Sequence, residues 1–74
     1  MKQENTISQR VKQRRNDIGL TQAEVAELAG ITQQSYQQIE AGETKRPRHL
    51  LEIAQALRCT ATWLMFGEEP QTAA

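Results

Sequence analysis

Four glutamines stand close together, at Gln33, Gln34, Gln37 and Gln38, with Ser35 among them and no charged residue between Thr32 and Ile39. A glutamine amide carries a donor and an acceptor on one planar group. That pair matches N6 and N7 of adenine on the major-groove edge of a duplex. Two basic groups lie on either side in the chain. Arg10, Lys12, Arg14 and Arg15 form a run with no acid among them, and Lys45, Arg46 and Arg48 form a second cluster. Such clusters can neutralise phosphates, although either one alone reads as ordinary solvated surface.

Other chemistry is poorly supplied. There is one His (His49), one Asp (Asp17) and one Cys (Cys59). A nucleophilic triad could be written from Ser8 or Ser35 with His49 and Asp17, but no spacing supports it, and so small a chain has little volume for a closed pocket. Metal ligands are not clustered. The glycines Gly19, Gly30, Gly42 and Gly67 are too far apart for a phosphate-cradling loop. The reading is therefore not an enzyme, with no metal, no cofactor and no small-molecule substrate. No apolar run approaches the ~20 residues of a membrane span. The polar start, Met1-Lys2-Gln3-Glu4-Asn5, predicts no secretory signal, and a single cysteine fits a reducing compartment. The expected location is the cytoplasm.

The net charge argues against a polyanionic partner. Nine basic residues balance nine acidic ones over 74 residues, and nucleic-acid binders are usually basic. Distribution softens this. Glu4, Glu68 and Glu69 fall in expected tails, and setting them aside with Lys2 leaves eight basic and six acidic residues in the body.

The elements that must position the glutamines are helices, because β-branched alternation is absent and prolines occur only at Pro47 and Pro70. The first helix is predicted from about Ile7 to Asp17, with Thr6 and Gln9 as a capping box and Gly19 as the stop. The second follows Thr21, with Glu24 completing a box. Val25, Ala26, Leu28 and Ala29 are its expected buried side, and Gly30 ends it. The third follows Thr32, buries Ile31, Tyr36 and Ile39, and stops at Gly42. Pro47 suits the first turn of a fourth helix carrying Leu50, Ile53, Ala54 and Leu57. Thr60 caps a short fifth helix with Trp63, Leu64 and Met65, closed by Gly67. The fold class is all-α, five helices in one domain over residues 6–67, with a polar arm at 1–5 and a tail at 68–74.

Helices two and three are separated only by a tight turn containing Gly30, which is the helix-turn-helix pattern. The outer side of the third helix then shows the four glutamines. Solvated faces are usually rich in Lys and Glu, so base reading is preferred over a solvated surface. Arg15 and Glu40 each lie beside an apolar face, and together they suggest an internal ion pair setting geometry between helices one and three. Tyr36 and Trp63 read as core aromatics, Cys59 as a small buried hydrophobe and His49 as surface.

The stretch from Ile7 to Gly67 resembles the Cro and repressor amino-terminal DNA-binding domains of lambdoid phages, nearest in pattern to the phage 434 proteins. The residues that carry the likeness are Arg10-Val11-Lys12, Gly19-Leu20-Thr21-Gln22-Ala23-Glu24, Thr32-Gln33-Gln34-Ser35, Ile39-Glu40-Ala41-Gly42, Thr44-Lys45-Arg46-Pro47-Arg48 and Thr62-Trp63-Leu64. The resemblance implies a lambda-repressor-like fold and a palindromic double-stranded operator bound by a homodimer. It implies that Gln33, Gln34 and Gln38 read bases, with Thr32 against a thymine methyl. Arg10, Gln22, Lys45 and Arg46 would meet the DNA backbone, and Arg48 the narrowed central minor groove. Arg15 and Glu40 match the family's ion pair, and Thr60, Ala61, Thr62 and Trp63 fall where subunits meet. Departures are Thr21 and Ala41, where relatives carry Asn, and Tyr36 in place of an aliphatic residue. The short tail after Gly67 suggests a Cro. A host regulator of the Xre type, or the excised DNA-binding domain of a repressor, is the same-class alternative. A protein-interaction module is the different-class one, disfavoured because a docking face should show apolar anchors.

Overall fold

Four of the five helix starts are set by a threonine that does what its position predicts. In the computed structural model, which describes residues 6–43 and 48–67, the helices are α1 (Ile7–Ile18), α2 (Gln22–Ala29), α3 (Gln33–Glu40), α4 (Leu50–Ala56) and α5 (Ala61–Phe66). The hydroxyls of Thr6, Thr21, Thr32 and Thr60 accept from the backbone N–H three residues on, at 3.0–3.2 Å. At Thr21 the box is complete, because its own N–H donates to Glu24 Oε1 at 2.8 Å. Each cap satisfies an otherwise orphaned donor and contributes about 1 kcal/mol. The fourth helix lacks such a cap, since His49 precedes it with no side-chain bond. Its expected start at Pro47 lies outside the described residues.

Helix ends follow the same local logic with one exception. Gly30 (φ 76°) takes the left-handed conformation. The N–H groups of Gly30 and Ile31 return to Glu27 and Ala26 carbonyls, which turns the chain from α2 into α3 in very few residues. At the end of α4 the same geometry is adopted by Arg58 (φ 59°), with Arg58 and Cys59 donating back to Gln55 and Ala54. A side chain with a Cβ is strained there.

The core takes at least one fully buried side chain from every helix or its cap: Val11, Val25, Tyr36, Ile53, Leu57 and Leu64. Ala26 and Ala29 are small where α2 packs on α3 and α4, while α1 packs on α3 and α5. This is the all-α, five-helix arrangement expected. One core assignment needs correction. Leu28 is 63% exposed. The buried arc of α2 is centred between Val25 and Ala26, and Leu28 falls about 110° from that centre at 3.6 residues per turn.

Candidate nucleic-acid interface

The outer side of α3 is open. Thr32, Gln33, Gln34, Ser35, Gln37 and Gln38 are all exposed, whereas Tyr36 and Ile39 are buried. The Thr32 hydroxyl is occupied, accepting from the Ser35 N–H and donating to Ser35 Oγ at 3.0 Å. Its methyl is what remains for an outside partner. Among the described residues no hydrogen bond holds the four glutamine amides, so both ends of each are available.

Behind that face lies a polar hub. Glu40 Oε2 accepts from Arg15 Nε and from the Tyr36 hydroxyl, each at 2.6 Å. Glu40 Oε1 accepts from Gln22 Nε2 at 2.9 Å and from Arg15 Nη2 at 3.3 Å. The Arg15 guanidinium also donates to the Leu20 carbonyl at 2.9 Å. Three helices thus meet on one carboxylate whose side chain is 4% exposed, and Arg15 ties the loop after α1 to the same cluster. Burial by itself would push the Glu40 pKa up. The bonds from Arg15, Tyr36 and Gln22, with the Arg15 charge, outweigh it and hold the carboxyl below its ordinary value. The bond to Glu40 raises Arg15 in turn, and burial pushes the Tyr36 hydroxyl far up. Tyr36 is therefore a core aromatic whose hydroxyl faces inward. Its signal was present in the sequence as the four-residue spacing of Tyr36 and Glu40 on one helix.

The run of basic residues on α1 is not a cationic face. Arg10 is 5% exposed, and its Nε and Nη2 donate to the Leu64 and Met65 carbonyls at 2.8 Å. Arg14 does the same for α4, donating to the Leu57 and Arg58 carbonyls at 2.9 and 3.1 Å. With Arg15 on Glu40, three of the four basic residues are internal ties. The expected backbone contact of Arg10 is corrected accordingly: cations settle naturally at helix carboxyl ends, where carbonyls lack partners, and these two do so. Lys12 and Arg48 are exposed. Lys45 and Arg46 lie outside the described residues.

Gln22 is half-buried at the first position of α2. Because ionised Glu40 can only accept, the amide nitrogen of Gln22 must face inward. The backbone N–H and the second amide hydrogen are what it can offer a phosphate. On α5, Trp63 is 7% exposed and belongs to the core of its own chain, which corrects its assignment to a face between subunits. Of its neighbours Thr62 is exposed, while Ala61 and Thr60 are half-buried. The sequence reading missed Met65 (44% exposed) and Phe66 (62%). They stand four residues after Ala61 and Thr62 and so share the outer side of α5. Cys59 is buried, and burial pushes its thiol up to about 11.

A family model described as Helix-turn-helix matches residues 11–64. The chain is 43% identical over 63 residues to the HTH-type transcriptional regulator for conjugative element SXT of Vibrio cholerae, covering 85% of this chain and 29% of that protein. It is 32% identical over 65 residues to the HTH-type transcriptional regulator DicA of Escherichia coli K12, covering 86% of this chain and 48% of that one. The chain thus spans a minor part of these curated relatives. Among solved structures it superposes on the phage P22 c2 repressor in complex with a synthetic operator, with a TM-score of 0.78 and 26% identity, covering 85% of this chain and 97% of that one.

Proposed function

The chain belongs to the helix-turn-helix family, and from that premise we propose that it is a sequence-specific double-stranded DNA-binding domain that represses transcription. The observation that carries this is the uncharged α3 face, whose glutamine amides are exposed and unengaged among the described residues. Gln33 and Gln34 occupy the first turn after the Thr32 cap, which is the part of a recognition helix that enters the major groove. Gln38 lies one turn deeper on the same side as Gln34. Thr32 presents its methyl beside them. The backbone N–H of Gln22 in the first turn of α2 suits a phosphate oxygen. Arg48 and Lys12 are exposed cations for the duplex backbone or minor groove, and Lys45 and Arg46 fill the same role by their place in the sequence. The proposed DNA-binding domain is residues 6–67.

Pairing of two copies on a palindromic operator is the finer part of the reading. The outer side of α5, with Thr62, Met65 and Phe66, supports it, since exposed apolar residues on a small domain mark an interaction face. The similarity to an HTH-type transcriptional regulator for a conjugative element supports a role in transcriptional regulation, and action in the cytoplasm on DNA is part of the same proposal.

Selection of binding sites from random duplex DNA tests the proposal. A two-fold consensus is expected, and a base-by-base substitution panel should then show Gln33→Ala losing about 1–3 kcal/mol of discrimination at one position. Failure to enrich any sequence, or equal weakening at every position, would overturn base reading by α3.

A further inference from the structure

We propose that Tyr36 is a positioning residue for base reading: its hydroxyl fixes the Glu40 carboxylate so that the other oxygen holds Gln22, and this link sets the angle between α2 and α3. The inference rests on the DNA-reading proposal for its functional consequence, but its geometry stands alone. Glu40 has two oxygens and three donor side chains. The Tyr36 hydroxyl and Arg15 Nε take Oε2 at 2.6 Å, and Oε1 faces Gln22 Nε2 at 2.9 Å with Arg15 Nη2 farther off at 3.3 Å. Tyr36 is fully buried and lies one turn before Glu40 on the same helix. The hydroxyl is thus anchored by the core and does not depend on α1 or α2. The Arg15 fork already holds both oxygens, but unevenly, at 2.6 Å to Oε2 and 3.3 Å to Oε1. Without the Tyr36 hydroxyl the carboxylate is free to turn and even out that fork, the arrangement guanidinium and carboxylate prefer, which draws Oε1 toward Arg15 Nη2. The Gln22 bond is then lengthened and weakened, and the only side-chain hydrogen bond described between α2 and α3 is loosened.

The lever arm makes this matter for recognition. Glu40 and Gln33 are seven residues apart, or about 10 Å along the helix at 1.5 Å per residue. A swing of about 5° at the Glu40 end moves Gln33 by nearly 1 Å, beyond the ~0.5 Å tolerance of a preorganised polar site. Bidentate reading of a base edge is lost at that displacement, whereas phosphate contacts adapt.

Tyr36→Phe keeps the ring and deletes only the hydroxyl. On a selected operator and its single-base variants, this variant should lose about tenfold of its preference at the positions read by Gln33 and Gln34, converted from the usual bidentate discrimination. The salt dependence of affinity should be unchanged, because phosphate contacts are intact. A loss of folded protein alone would lower affinity for all variants equally. Gln22→Leu cuts the same link from its outer end and should flatten the same positions. A second arm needs no DNA. The side-chain amide signals of Gln22 in NMR spectra should move in Tyr36→Phe toward those of the free Gln34 and Gln37. Unmoved Gln22 amide signals, or a base profile identical to the parent's in Tyr36→Phe, would overturn the inference. If the parent chain selects no duplex sequence, the DNA-reading proposal fails instead, and the amide signals still decide the geometry.

Discussion

Arg10→Met sets a phosphate role for Arg10 directly against the structural one. The side chain's Nε and Nη2 each donate at 2.8 Å to carbonyls in the last turn of α5. Methionine keeps an apolar stem of similar reach and removes both bonds. A hydrogen bond from a charged donor contributes about 1.5–3 kcal/mol net. The Leu64 bond is buried and the Met65 bond only half-buried, so the lower half of that range applies to the second, and the sum is about 3–5 kcal/mol. A domain of this size has about 4–11 kcal/mol in total at 0.05–0.15 kcal/mol per residue. The variant should therefore approach the edge of stability. With a urea m-value of about 1 kcal/mol/M, the unfolding midpoint should fall by about 3–5 M. DNA affinity per folded molecule, and its slope against salt, should match the parent. The reasoning is refuted by the opposite pair of results: an unchanged urea midpoint with a salt slope reduced by about 0.9, the signature of one lost phosphate contact.

The remaining expectations concern the hub and one helix end. Truncating either Arg15 or Glu40 alone should cost about 3–5 kcal/mol, and replacing both with apolar residues should cost less; additive small effects in a double-mutant cycle would contradict a buried pair. Since the Glu40 carboxyl titrates below its ordinary value of 4.5 in the fold, its contribution is complete above that value and is lost as pH falls through the lowered one; thermal melts between pH 7 and 3 should show this loss, and Glu40→Gln should flatten that part of the profile. Arg58→Gly should raise stability by about 0.5 kcal/mol, because relief of the left-handed strain of about 1–2 kcal/mol exceeds the backbone entropy that glycine adds in the unfolded chain; a lower melting temperature would show that the Arg58 side chain contributes more than its backbone costs.

What the sequence determined by itself was everything carried by short spacings. Four threonine caps act on the residue three positions ahead, and the turn at Gly30 is closed by bonds to Ala26 and Glu27. The helix count, the tight turn between α2 and α3 and the exposed glutamine face follow from such neighbours, whose interactions close within one turn of helix. The meeting of Arg15 and Glu40, 25 residues apart, was legible only as a suspicion, because both stood beside apolar faces. Where the other arginines went was decided by tertiary structure alone. Arg10 reaches carbonyls 54 and 55 residues away, and Arg14 reaches others at 43 and 44. A flexible guanidinium finds whichever helix end packing brings near, and backbone carbonyls are the same at every residue, so no side-chain pattern marks the partner. The exposure of Leu28 was likewise decided by how α2 rolls against two neighbours. A basic run therefore reads as a polyanion-binding surface until the fold shows that most of its charge is tied to the chain's own helix ends and to Glu40.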